Sequence, residues 1–143
     1  MRGNPVRPLS EARPRKWARL LLAGAYAFAG VAHLARPAGF VAITPEWVPA
    51  PETVVALTGI AELAGAAGLM VPRLRPAAGV GLALYALCVW PANINHAVNG
   101  ITLGGVQLGW AYHAPRLALQ PLIIWWALWA SGAIDWPFRR RPA

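Results

Sequence analysis

The sequence predicts an all-α fold: an integral membrane four-helix bundle with both termini on the inner side and a short interfacial segment between the first and second helices. Three observations lead there. Apolar residues make up 57% of the 143 and charged ones 13%, against about 45–50% and about 25% in an ordinary soluble domain. The apolar residues gather in long blocks rather than amphipathic stripes, the pattern a hydrocarbon solvent demands. Short stretches rich in proline, glycine and arginine separate the blocks, so the chain reads as several spans.

The first span is expected over Trp17 to Ala35, since about 20 apolar residues cross a core of about 30 Å. Its basic leader and the small residues at 32–35 also fit a cleaved signal peptide, though three further spans would anchor the chain in either case. Pro37 to Glu52 is a connector, because "PEWVPAPE" holds three prolines and cannot continue a helix. Phe40, Val41, Ile43 and Trp47 suit the membrane interface there. The second span covers about Thr53 to Val71. The turn Pro72-Arg73-Leu74-Arg75-Pro76 then returns the chain antiparallel into the third span, Ala77 to His96, where Pro91 is expected to kink or unwind the helix. Ala97 to Tyr112 is an uncharged glycine-rich connector, and Pro115 suits the first turn of a fourth span ending near Ile134. Residues 1–16 and 136–143 are then basic tails on a membrane domain over 17–135.

The net charge of +8 sits mainly outside the spans. Arg2, Arg7, Arg13, Arg15, Lys16 and Arg19 precede or open the first block, and Arg139, Arg140 and Arg141 close the chain. With Arg73 and Arg75 they place eleven of the 13 basic residues on one side, leaving Arg36 and Arg116 for the other. The positive-inside bias therefore predicts cytoplasmic termini in a bacterial cytoplasmic membrane. The lipid bilayer is the expected partner and nucleic acid is not, for want of aromatic or motif context. The single cysteine, Cys88, excludes a dithiol relay within the chain, and the sequence is compatible with a homo-oligomer.

Ionisable groups inside a span cost roughly 2.5–3.5 kcal/mol near the centre and usually face the interior. Glu62 lies about nine residues, roughly 13 Å, into the second span, with Thr58, Gly59, Gly65 and Ala66 on its face. His33 shares a face of the first span with Tyr26 and Gly30. Asn93 and His96 share a face of the third, as do Arg116 and Gln120 of the fourth. Placed by depth, the six converge in the outer half, while the inner half is almost wholly apolar. They form a candidate ligand-binding or proton-handling site; no catalytic residue is assigned. As a purely structural network, the same groups would pair Arg116 with Glu62. A metal site is not expected, since His33, His96 and His113 lack ligand spacing and the arginine opposes a cation.

The stretches "AGVAHLARP", "GIAELAGAAGLMVPRLRPAAGVGLAL", "VWPANINHAVNG" and "PRLALQPLIIWWALW", in this order over about residues 20–130, resemble the DoxX-like family of small four-span bacterial membrane proteins. The resemblance implies a four-helix membrane bundle and carries over His33, Glu62, Asn93 and Arg116 with Gln120 as its recurring polar positions. It also implies redox company: DoxX and DoxD are associated with thiosulfate:quinone oxidoreduction, others with thiol-stress assemblies.

Three functions follow as expectations. The chain is a quinone-interacting subunit or accessory of a membrane redox system, with quinone as cofactor or a redox protein as partner. Alternatively it is a non-catalytic scaffolding or binding protein whose polar network is structural. A small-solute or proton transporter ranks third, because only half of the membrane has a polar lining.

Overall fold

A computed structural model describes residues 13–137. Five helices follow in order: α1 (Arg13–Ala35), α2 (Pro37–Ile43), α3 (Pro51–Met70), α4 (Arg75–Val98) and α5 (Trp110–Ser131). Of the expected tail residues, Arg2, Arg7, Arg139, Arg140 and Arg141 lie outside the described residues. Arg13, Arg15 and Lys16 do not belong to a tail but to the first turn of α1.

Three helices, α1, α3 and α4, are long and apolar enough to cross a membrane. They have 23, 20 and 24 residues, or about 30–36 Å at 1.5 Å per residue. Their outward faces are apolar, with Leu21, Phe28, Leu57, Ile60, Leu84 and Leu87 exposed. The expected fourth span corresponds to α5, which has the length, at 22 residues, but not the composition: Arg116, Gln120, His113 and two prolines dilute its hydropathy.

Neighbouring long helices run antiparallel. The turn between α3 and α4 forces this for one pair, and Arg15–Asp135 and Asn93–Gln120 contacts register α1 and α4 against α5. With α1 packed on α3, the four close a ring of contacts around Leu22, Tyr26, Ala66, Leu69, Leu82, Ala127 and Ala130. With Ala23 and Ala83, alanines make up five of the nine residues of this cluster, which suits close backbone approach, the main attraction between helices where apolar side chains gain little by leaving lipid. At Gly79 an added Cβ would run into Ser131 and the Ala127 carbonyl, so α4 and α5 cross there almost backbone to backbone.

Local signals explain the element ends. Pro37 and Pro51 open their helices, where a missing N–H costs nothing. The α5 terminus is a Schellman cap: Gly132, at φ 84°, donates to Trp129 while Ala133 donates to Leu128. The expected connector after α1 contains the two-turn helix α2. Pro91 does not unwind α4, and Pro115 sits in the second turn of α5 rather than the first.

The half of the bundle where α1 begins and α5 ends is less apolar than expected. Arg19 is 3% exposed, its Nη1 reaching the Ala130 carbonyl at 3.5 Å. Arg15 pairs with Asp135 at 2.7 Å and lies over the Trp129 ring. These cations complement the unsatisfied carbonyls at the α5 C-terminus.

Candidate functional site

The site starts from a helix crossing. A Cβ on Gly30 would lie 2.8 Å from the Gly59 carbonyl oxygen, and one on Gly59 would lie 2.9 Å from His33 Cβ. Only glycine lets α1 and α3 meet so closely. His33 lies one turn beyond Gly30, and Glu62 one turn beyond Gly59, on opposed helices. Side chains lean toward the N-terminus of their own helix, so in an antiparallel pair these two lean toward each other. His33 Nδ1 reaches Glu62 Oε2 at 2.9 Å.

That nitrogen is also 2.9 Å from the Ala29 carbonyl oxygen. One N–H cannot point at both. Its alignment serves Ala29, so Oε2 gains an ion-pair distance but no hydrogen-bond donor, and remains buried without one. Phe40 of α2 stacks on the other side of the imidazole at 3.7 Å between centroids, fixing its plane. Tyr26 and Tyr85 pack edge to face at 6.0 Å and line the same cavity as Glu62. Thr58 Oγ1 donates to the Val55 carbonyl at 2.7 Å.

These groups form one wall of a cavity of about 490 Å³, within the range of ligand pockets. Phe40, Ile43, Thr44 and Trp47 roof it, and Tyr85, Ile123 and Trp126 complete its ring-rich apolar walls. Cys88, exposed on α4, also lines it, which places an edge of the cavity at the surface of the bundle.

Of the six sequence-selected residues, the structure brings His33, Glu62, Asn93, Arg116 and Gln120 to this cavity. The sixth, His96, is directed elsewhere. It is 1% exposed, and its Nε2 meets the Ile101 carbonyl at 3.1 Å, so the proton sits on Nε2. Its Nδ1 then accepts from Arg116 Nη1 at 3.3 Å. The inward pair expected of Asn93 and His96 is therefore not formed. Nor does Arg116 pair with Glu62, as the structural network required: His33 occupies that role, and Arg116 lies over Tyr112.

Asn93 donates weakly to Gln120 at 3.5 Å, and Gln120 Nε2 donates to the Ala86 carbonyl at 2.6 Å. Asn95 bonds the Ile43 carbonyl at 2.9 Å, tying α2 to α4. His113 packs edge-on against His96 at 4.6 Å and holds the Leu108 carbonyl at 2.9 Å. Two imidazoles thus grip the connector 99–109 near both ends.

Tyr85 was not singled out by sequence, and Phe40 was expected only at the membrane interface, not at the site. Tyr85 falls at four-residue spacing on the Val89–Asn93 stripe, a signal that was available. Phe40 had none, since its contact depends on α2 folding back over α1.

One family model matches residues 22–131, that of a domain of unknown function (DUF8561). No curated protein and no solved structure matches the chain. The resemblance to the DoxX-like family is thereby corrected. Its four stretches are apolar helix interleaved with alanine, glycine and proline, a pattern that helix packing in lipid imposes on unrelated chains. The redox associations it implied lose their support with it. Over more than three quarters of its length, the chain belongs to the family described as domain of unknown function DUF8561.

Proposed function

We propose that all four long helices span the bilayer with both ends on the cytoplasmic side, and that the cavity binds a small, membrane-dissolved ring compound of the quinone class. Charge asymmetry supports the topology, as does α5, which packs antiparallel beside two apolar helices and has their length. A single observation carries the binding reading: a ring-lined cavity of about 490 Å³ with a buried carboxylate and imidazole on one wall. Apolar walls with a few convergent polar groups are how proteins hold small ligands, and ionisable groups at membrane depth mark such sites. The cavity edge at Cys88 suits access from lipid.

Titrating a decyl-tailed benzoquinone against tryptophan fluorescence tests this, since Trp47 and Trp126 line the cavity. Saturable quenching by wild type, weakened at least tenfold in the cavity-filling variant Ala92→Phe, is expected. Equal quenching of both proteins removes the reading.

A structural reading holds for part of the polar set. Asn95, His96, His113 and Gln120 each commit a donor to a backbone carbonyl, which fixes connectors and helix pairs. It leaves His33 and Glu62 as the working pair.

A further inference from the structure

Resting on the cavity as a binding site, but not on the ring compound proposed for it, we infer that Arg116 makes a position for an anionic group there. The cavity then takes an apolar acid, a single-chain carboxylate of the fatty-acid class. Arg116 stands nearly two turns into α5 and lines the cavity. Among the described residues no carboxylate pairs with it: Asp135 is paired with Arg15, and Glu62 faces His33. Its one hydrogen bond runs to His96 Nδ1 at 3.3 Å. The His96 proton sits on Nε2, against the Ile101 carbonyl, so that imidazole is neutral and leaves the guanidinium charge uncompensated. The Tyr112 ring, 5.7 Å away, attracts a cation but supplies no counter-ion.

A guanidinium presents several N–H donors in a fixed fork, and Arg116 commits only its Nη1 to His96. Its other nitrogens are not sealed in. None is among the buried polar atoms that lack a partner, so they keep open surface in a residue that lines the cavity. An arginine at membrane depth without a counter-ion is costly, and a carboxylate docked on its fork relieves that with charge-assisted hydrogen bonds. The walls set the rest of the occupant, being apolar around Ile43, Val55, Val89 and Ile123. A phospholipid phosphate offers the same anionic oxygen, but a cavity of about 490 Å³ is of small-ligand size, which favours one chain over two.

The test titrates the full chain, in a non-ionic detergent at a pH that ionises the acid, with a medium-chain carboxylic acid tipped by bromine and with the alcohol of the same chain. Bromine quenches tryptophan on contact, and Trp47 and Trp126 line the cavity. Wild type should be quenched saturably, with the acid binding at least about tenfold more tightly than the alcohol, the scale of one charge-assisted contact. In Arg116→Gln the ratio should shrink to about threefold or less. Equal or tighter binding of the alcohol to wild type overturns the Arg116 contact while leaving the cavity reading intact, and it does so without needing the variant to fold. A tenfold ratio persisting in Arg116→Gln also overturns it, because the anion is then held elsewhere. Displacement of the acid by phosphatidylglycerol as readily as by the unbrominated acid would assign the anionic oxygen to a lipid headgroup and overturn the single-chain occupant. Saturable binding of neither compound defeats the cavity reading itself and this inference with it.

Discussion

His33 Nδ1 stands 2.9 Å from Glu62 Oε2, joining α1 to α3 where two glycines bring the helices together. Glu62 is buried and His33 partly so, and the two side chains stand at ion-pair distance, so the two substitutions are coupled. Removing one partner of a buried pair typically costs about 3–5 kcal/mol, more than removing both. His33→Ala should therefore lower the thermal midpoint in detergent more than the double variant His33→Ala/Glu62→Gln does. Strictly additive losses would mean that the two groups are not paired in the folded protein.

The crossing itself predicts a contrast between glycines. Gly30→Ala forces a Cβ to 2.8 Å from the Gly59 carbonyl and should destabilise by about 1–3 kcal/mol, the usual range for overpacking. Gly24→Ala meets nothing within 4 Å and should be neutral or stabilising by up to about 1 kcal/mol. Thermal melts of the two variants side by side check this; equal effects would place the close approach elsewhere.

The imidazole grip on the connector gives a local prediction. His96→Ala empties a site that is 1% exposed and releases the Ile101 carbonyl, a loss of about 2–4 kcal/mol when a buried group and its hydrogen bond go together. Amide hydrogen exchange should quicken across 99–109 before it changes in α1 or α3. Unchanged exchange in that connector would show that His96 does not hold it.

Topology separates the four-span reading from three spans. Four crossings put both termini on one side, while three put them on opposite sides. Epitope tags at each end, probed by protease in sealed inverted vesicles, should both be cut. Cleavage of one tag alone would leave α5 outside the bilayer.

Much of the fold was legible because lipid leaves few options. Span limits came within a few residues for α1, α3 and α4, where blocks of apolar sequence end at proline or arginine. Helix α2 was read as an irregular connector because seven residues are too few to show a period. Arg19 was read as flanking charge, since counting from the basic leader cannot reveal that its side chain turns inward onto the α5 carbonyls. The polar residues were found, and Tyr26, Gly30 and Gly59 were placed on the right faces. Their pairing was not legible: depth alone sets Arg116 and His33 equally near Glu62. Helix rotation and the Gly30–Gly59 contact decide between them, and neither can be read from spacing.

Whether the cavity holds a small molecule is the central claim. Native mass spectrometry of the full chain, released from mild detergent, tests it most directly. A retained organic adduct, smaller than a phospholipid, is expected on wild type, with its loss in Ala92→Phe. Wild type carrying phospholipid adducts alone, to the same extent as that variant, would contradict it.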